Sequence, residues 1–191
     1  MVATAVPPTY RTSLAGFYFL RAGVAAVWVA LAATIGTAAP MIGAALLVLY
    51  PAWDALANAL DAHSNGGFGA NASQTLNLAV SALVAPAVAI ALAIDMRLVL
   101  GLFGGWAIFA GLLQLITGAR RWRAYGAQWP MILSGAQSAL AGTIFIKQAT
   151  GPATSAITTV APYAAFGAFY FLVSAVALTL KERRASSKAV G

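Results

Sequence analysis

Apolar runs long enough to cross a bilayer alternate with short polar breaks along most of the chain. Residues 14–36 and 40–61 flank the break at Thr37-Ala38-Ala39; residues 74–94 and 98–118 flank Asp95-Met96-Arg97; residues 129–149 and 155–180 flank Gly151-Pro152. Each run is close to the ~20 residues that a helix needs to span hydrocarbon. The pattern predicts an all-α membrane protein with six transmembrane helices, arranged as three repeated helical hairpins. The hairpins fill residues 14–184, with polar tails at 1–13 and 185–191. Pro7 and Pro8 disfavour helix in the first tail. Pro86 falls inside the third run and predicts a kink supported by neighbouring helices. The segment from His63 to Ser73 is rich in Gly, Asn and Ser and reads as a solvated loop. Its Asn71-Ala72-Ser73 matches a glycosylation sequon, a three-residue pattern that we read as accidental.

Polar residues inside the apolar runs change the picture. Arg21 lies in the first run and Asp54 in the second. With residue 38 as the tip, Arg21 is 17 residues before it and Asp54 is 16 after it. Antiparallel helices rise equally per residue, so both charges fall at nearly one depth. Either alone is costly in hydrocarbon, and an intramembrane ion pair is the simplest arrangement. Steps of four and three put Asp54, Asn58 and Asp61 on one helix face. In the second hairpin, Asn77 and Gln114 also match in depth, and Gln74, Asn77 and Ser81 share a face. In the third, Ser134 and Ser138 are one turn apart.

The hairpins read as repeats of about 56 residues. Arg21, Asn77 and Ser134 are spaced by 56 and 57, and so are Tyr50, Trp106 and Tyr163. Parallel repeats of this kind occur in transporters, though inverted ones are commoner. If the hairpins surround a common axis, Arg21, Asp54, Asn58, Asn77 and Gln114 form one polar layer. The bland alternative is that the neutral members are interhelical bonds worth ~0.6 kcal/mol each. Gly101 and Gly105 form a GxxxG pattern, with Gly104, Gly111, Gly135 and Gly142 as further points of close helix approach.

Composition supports the membrane reading. The chain has 191 residues, 61% hydrophobic and 8% charged, against about 25% charged in soluble domains. The net charge of +7 would point to nucleic acid in a soluble protein. Here it follows topology instead, and no nucleic-acid partner is expected. Six spans put both termini on one side, with Arg11, Arg120, Arg121, Arg123, Lys181, Arg183, Arg184 and Lys188; the other side has Arg97 and Lys147. The positive-inside rule then places both termini in the cytoplasm, in the plasma (inner) membrane. Arg11 alone precedes the first run, which is longer than a signal-peptide core and is expected to remain as a span. Arg120, Arg121 and Arg123 are candidates for anionic lipid heads, or a topology signal and no more. The lipid bilayer is the expected partner, with a homo-oligomer as a further candidate.

Reactive chemistry is sparse. The chain has no cysteine, one histidine (His63, read as interfacial) and four acids. No nucleophile elbow, phosphate loop or zinc spacing is present. No catalytic residue, metal or cofactor is expected, and the chain reads as non-enzymatic. GGWAIFAGLLQLITGARRWR (104–123), GAQWPMILSGAQSALAG (126–142) and AAFGAFYFLVSAVAL (164–178) resemble the HdeD-type small membrane proteins. YFLRAGVAAVWVALA and YPAWDALANALDA resemble a subgroup of that family with a charged first hairpin. The resemblance covers residues 14–184. It implies a multi-pass protein of short repeated hairpins and a role in acid or envelope stress, with no catalytic residues to carry over. The residues themselves leave a second function open: a small channel or proton-coupled carrier with Arg21 and Asp54 in its polar pathway. A lipid- or partner-binding scaffold acting through the basic edge is a third.

Overall fold

The computed structural model describes residues 14–125, 129–152 and 156–190, with side chains except at 120–125, 182 and 185–190. Six helices account for nearly all of it: α1 (Leu14–Leu31), α2 (Pro40–Ser64), α3 (Ala72–Leu92), α4 (Met96–Tyr125), α5 (Trp129–Ala149) and α6 (Ala156–Val190). All six contain a stretch long and apolar enough to span a membrane. Large apolar side chains cover the outside of the bundle: Val27 is 60% exposed, Leu83 71% and Leu140 63%. Water would not tolerate such a surface, and lipid does. The chain is a multi-pass membrane protein.

The helix limits differ from the apolar runs where polar residues continue a helix beyond the hydrocarbon. α2 runs on to Ser64, α4 to Tyr125 and α6 to Val190. Arg120, Arg121 and Arg123 therefore lie on the last turns of α4, although their side chains are outside the described residues. So are the first tail with Arg11 and the side chain of Lys188.

The helices form a ring in chain order, closed by α6 against α1. The tightest neighbours are α4 with α5, α1 with α6, and α2 with α3. The arms of the first expected hairpin approach each other at few points, so α1 and α2 are joined mainly by side chains. Between them, a single π-helical turn (Ala32–Gly36) ends α1, and an added Cβ at Gly43 would lie 2.6 Å from the Gly36 carbonyl oxygen.

Glycine explains the close fit of α4 on α5. Gly104, Gly111 and Gly118 on α4 recur every seven residues, as do Gly135 and Gly142 on α5. A Cβ at Gly142 would meet the Gly104 carbonyl oxygen at 2.5 Å, and one at Gly111 the Gly135 carbonyl oxygen at 2.6 Å. Of the GxxxG pattern, Gly101 lies at the edge of this seam, where a Cβ would be 4.0 Å from the Ala149 Cβ, and a Cβ at Gly105 would meet nothing within 4 Å.

Two connections are more ordered than their composition implies. Between α2 and α3, Gly66 and Gly67 take φ of 101° and 90°. The Asn71 amide donates to the carbonyls of Asn65 (2.8 Å), Gly67 (2.9 Å) and Ala62 (3.4 Å). Asn71 thus holds the loop together through its side-chain amide. Before α4, Asp95 accepts from the Arg97 backbone N–H at 2.9 Å and from its guanidinium at 2.6 and 2.9 Å, which caps the helix.

Candidate functional site

At the bundle end that carries Leu14 and the 65–71 loop, the ring opens into a vestibule of about 300 Å³ lined from all six helices. Three helices contribute the same kind of stripe. On α2 it is Tyr50, Asp54 and Asn58; on α4, Trp106, Ala110 and Gln114; on α6, Tyr163, Gly167 and Phe171. Steps of four place each trio on one helix face. The first members close the vestibule inwardly. Ring centroids lie 5.7 Å apart for Tyr50 and Trp106, 6.3 Å for Tyr50 and Tyr163, and 6.5 Å for Trp106 and Tyr163. Beneath them, Trp28, Phe103 and Phe145 continue into the apolar core.

The charged residues meet just above this aromatic layer. Arg21 Nη2 is 2.5 Å from Asp54 Oδ1, and both side chains are largely shielded, at 12% and 14% exposure. The other carboxylate oxygen accepts from Ser81 Oγ (2.8 Å), Asn58 Nδ2 (2.9 Å) and Asn77 Nδ2 (3.3 Å). Asp54 therefore has four donors, about the full capacity of a carboxylate. Ser81 in turn accepts from the Trp106 indole N–H at 2.9 Å. This chain of bonds ties α1, α2, α3 and α4 to one side chain. Arg21 also lies over the Phe171 ring, 4.3 Å from its centroid, which adds α6 through a cation–π contact.

No family model, curated protein or solved structure matches this chain. The site therefore has to be interpreted from its own geometry.

Among the residues that the sequence singled out, Arg21, Asp54, Asn58 and Asn77 share the cluster. Gln114 lines the same vestibule but does not pair with Asn77; it accepts from Ser134 Oγ at 3.5 Å. Asp61 is nearer the mouth and accepts from Asn65 Nδ2 at 2.8 Å. His63 is exposed. Three partners escaped the sequence reading. Ser81 was placed on the face of Asn77, but its bond to Asp54 depends on how α3 is rotated against α2. Trp106 was marked only by its recurrence with Tyr50 and Tyr163, and Phe171 looked like an ordinary apolar residue. The recurrence of Tyr50, Trp106 and Tyr163 was the available signal for the aromatic layer. The bond from Trp106 to Ser81 also has a counterpart, since Ser138 Oγ lies 3.0 Å from Tyr163 Oη and each partner is 57 residues further on.

Chemically, the vestibule offers binding groups and no obvious nucleophile. Among the described residues, no group of three or more His, Cys, Asp or Glu could hold a metal. The site is a cavity open at one end of the bundle with an ion pair at its inner end.

Proposed function

We propose that this multi-pass membrane protein is a small proton-coupled carrier whose solute site is the vestibule above Tyr50, Trp106 and Tyr163. The observation that carries the reading is the Arg21–Asp54 pair at the inner end of a cavity lined by all six helices. Ionisable residues at membrane depth are expensive and commonly mark substrate or proton pathways. A continuous channel fits less well, because the three aromatic rings span the axis. A carrier needs such a closed layer on one side of its site, and opens it when the other side closes.

Vesicles containing the protein and a pH-sensitive dye should show proton flux above empty vesicles when a gradient is imposed. Asp54→Asn, reconstituted as folded protein, should lose that flux. Protein vesicles indistinguishable from empty ones would overturn the carrier reading.

A second reading is supported by the saturation of Asp54 by four donors, which suits a structural clamp. It is the one implied by the resemblance to HdeD-type proteins: a non-enzymatic inner-membrane protein of acid or envelope stress, with no intrinsic flux. In both readings the positive-inside rule supports cytoplasmic termini, with Arg120, Arg121 and Arg123 as candidates for anionic lipid heads or as a topology signal and no more. The equivalent stripes on α2, α4 and α6 support an origin from three repeated hairpins.

A further inference from the structure

Two buried atoms at the inner end of the vestibule lack hydrogen-bond partners: Arg21 Nε and Asn77 Oδ1. Their orientations are fixed by Asp54. The Asn77 amide has to turn its NH₂ toward the carboxylate, so its oxygen points elsewhere. One unfilled donor on a cation and one unfilled acceptor on an amide therefore lie around a single ion pair. Groups of this kind are costly to leave unsatisfied.

Charge restricts what could complete them. Arg21 and Asp54 cancel, and a ligand with net charge would leave that charge uncompensated at membrane depth. A ligand with both charges would not. The walls restrict it further. Phe17, Phe166 and Phe171 line the α1/α6 side, whereas Gln74, Gln114 and Gln137 line the opposite side. A volume of about 300 Å³ is at the small end of ligand sites.

We infer that the vestibule binds a small zwitterion of the apolar α-amino-acid class. Its carboxylate is received by the Arg21 guanidinium, its ammonium by Asn77 Oδ1 beside the Asp54 charge, and its side chain by the aromatic wall. The inference rests on the carrier reading and names the solute class for that site.

The test uses the full chain in detergent with L-phenylalanine as probe, alongside phenethylamine, which lacks the carboxylate, and 3-phenylpropionate, which lacks the ammonium. L-Phenylalanine should change tryptophan fluorescence saturably, since Trp106 lines the site. Each singly charged analogue should bind at least tenfold more weakly. Ala110→Phe, which fills the vestibule at the level of Asp54, should remain folded and lose binding. The chain has no cysteine, so Ala110→Cys introduces a single thiol, and its labelling by a water-soluble maleimide should be slowed by L-phenylalanine. Equal binding of phenethylamine, or response only to phosphatidylethanolamine in mixed micelles, overturns the amino-acid assignment and leaves the carrier reading standing. Ready labelling of Ala110→Cys that L-phenylalanine does not slow does the same. No labelling of that thiol at all means the vestibule is shut to solutes, and both ideas fall.

Discussion

Replacing Asp54 by asparagine should destabilise the bundle more than loss of one ion pair alone. Asp54 holds Arg21 on one oxygen and Ser81, Asn58 and Asn77 on the other. Asparagine keeps the shape but converts one of those acceptors into a donor. Either Arg21 or the trio then faces an N–H group, and Arg21 loses its counter-charge. Removing one partner of a buried pair costs ~3–5 kcal/mol, and each interhelical bond adds ~0.6 kcal/mol. A loss of about 4 kcal/mol corresponds to a fall in Tm of roughly 8–16 °C for a chain of this length. Arg21→Gln should cost less, because the carboxylate keeps three donors. The charge swap, Arg21→Asp with Asp54→Arg, is the decisive comparison. It restores opposite charges but turns three donors toward a guanidinium, so it should recover less than half of the loss. Thermal unfolding in detergent, followed by tryptophan fluorescence, measures all four proteins. A swap within roughly 2 °C of wild type would mean that the pair acts alone, and single variants that close would refute the cluster altogether.

Other consequences can be tested in the same assay. Gly142→Ala should lower stability by ~1–3 kcal/mol, because its Cβ would lie 2.5 Å from the Gly104 carbonyl oxygen, whereas Gly105→Ala, with nothing within 4 Å, should be neutral or slightly stabilising. Gly66→Ala should cost ~1–2 kcal/mol because its φ is 101°, and Gly69→Ala, also in open space, is the control. The hydrogen bonds from the Arg97 side chain, then that from its backbone N–H, hold the Asp95 carboxyl below the usual carboxylate range. Its contribution to stability is therefore present above pH ~4 and lost as pH falls through the lowered value. Asp95→Asn should remove that part of the acid limb of a Tm–pH profile, and superimposable profiles would contradict it.

Some of this architecture was legible from sequence because the bilayer imposes it. A span needs a certain apolar length, so the positions of six helices could be read directly. The rise of a helix is fixed, so equal spacing from a turn put Arg21 and Asp54 at one depth. Helix rotation and neighbour choice were not legible. A lipid-facing helix is apolar on several sides, which leaves no amphipathic face to say which side meets which neighbour. Hence α1 was expected to lie along α2 but lies mainly against α6, and the GxxxG of Gly101 and Gly105 was a less useful guide than the seven-residue spacing of Gly104 and Gly111. The loop with Asn71 is mostly exposed, as its composition implies, but its order comes from one side chain bonding three carbonyls, which composition does not report.

The distribution of charge in the vestibule follows from the similar stripes on α2, α4 and α6. Asp54, Ala110 and Gly167 each lie four residues after a member of the aromatic layer, and all three line the cavity. Those aromatic rings are only 5.7–6.5 Å apart, so three carboxylates one turn further on would crowd like charges into a poorly solvated space. Like charges at such range cannot all remain ionised. One position carries the acid, and the other two carry residues small enough to leave room. The same holds for Arg21, Asn77 and Ser134, which line the cavity and descend from cation to amide to hydroxyl. The single acid among these stripes is therefore what makes one ion pair, with open space beside it, possible at the centre of the vestibule.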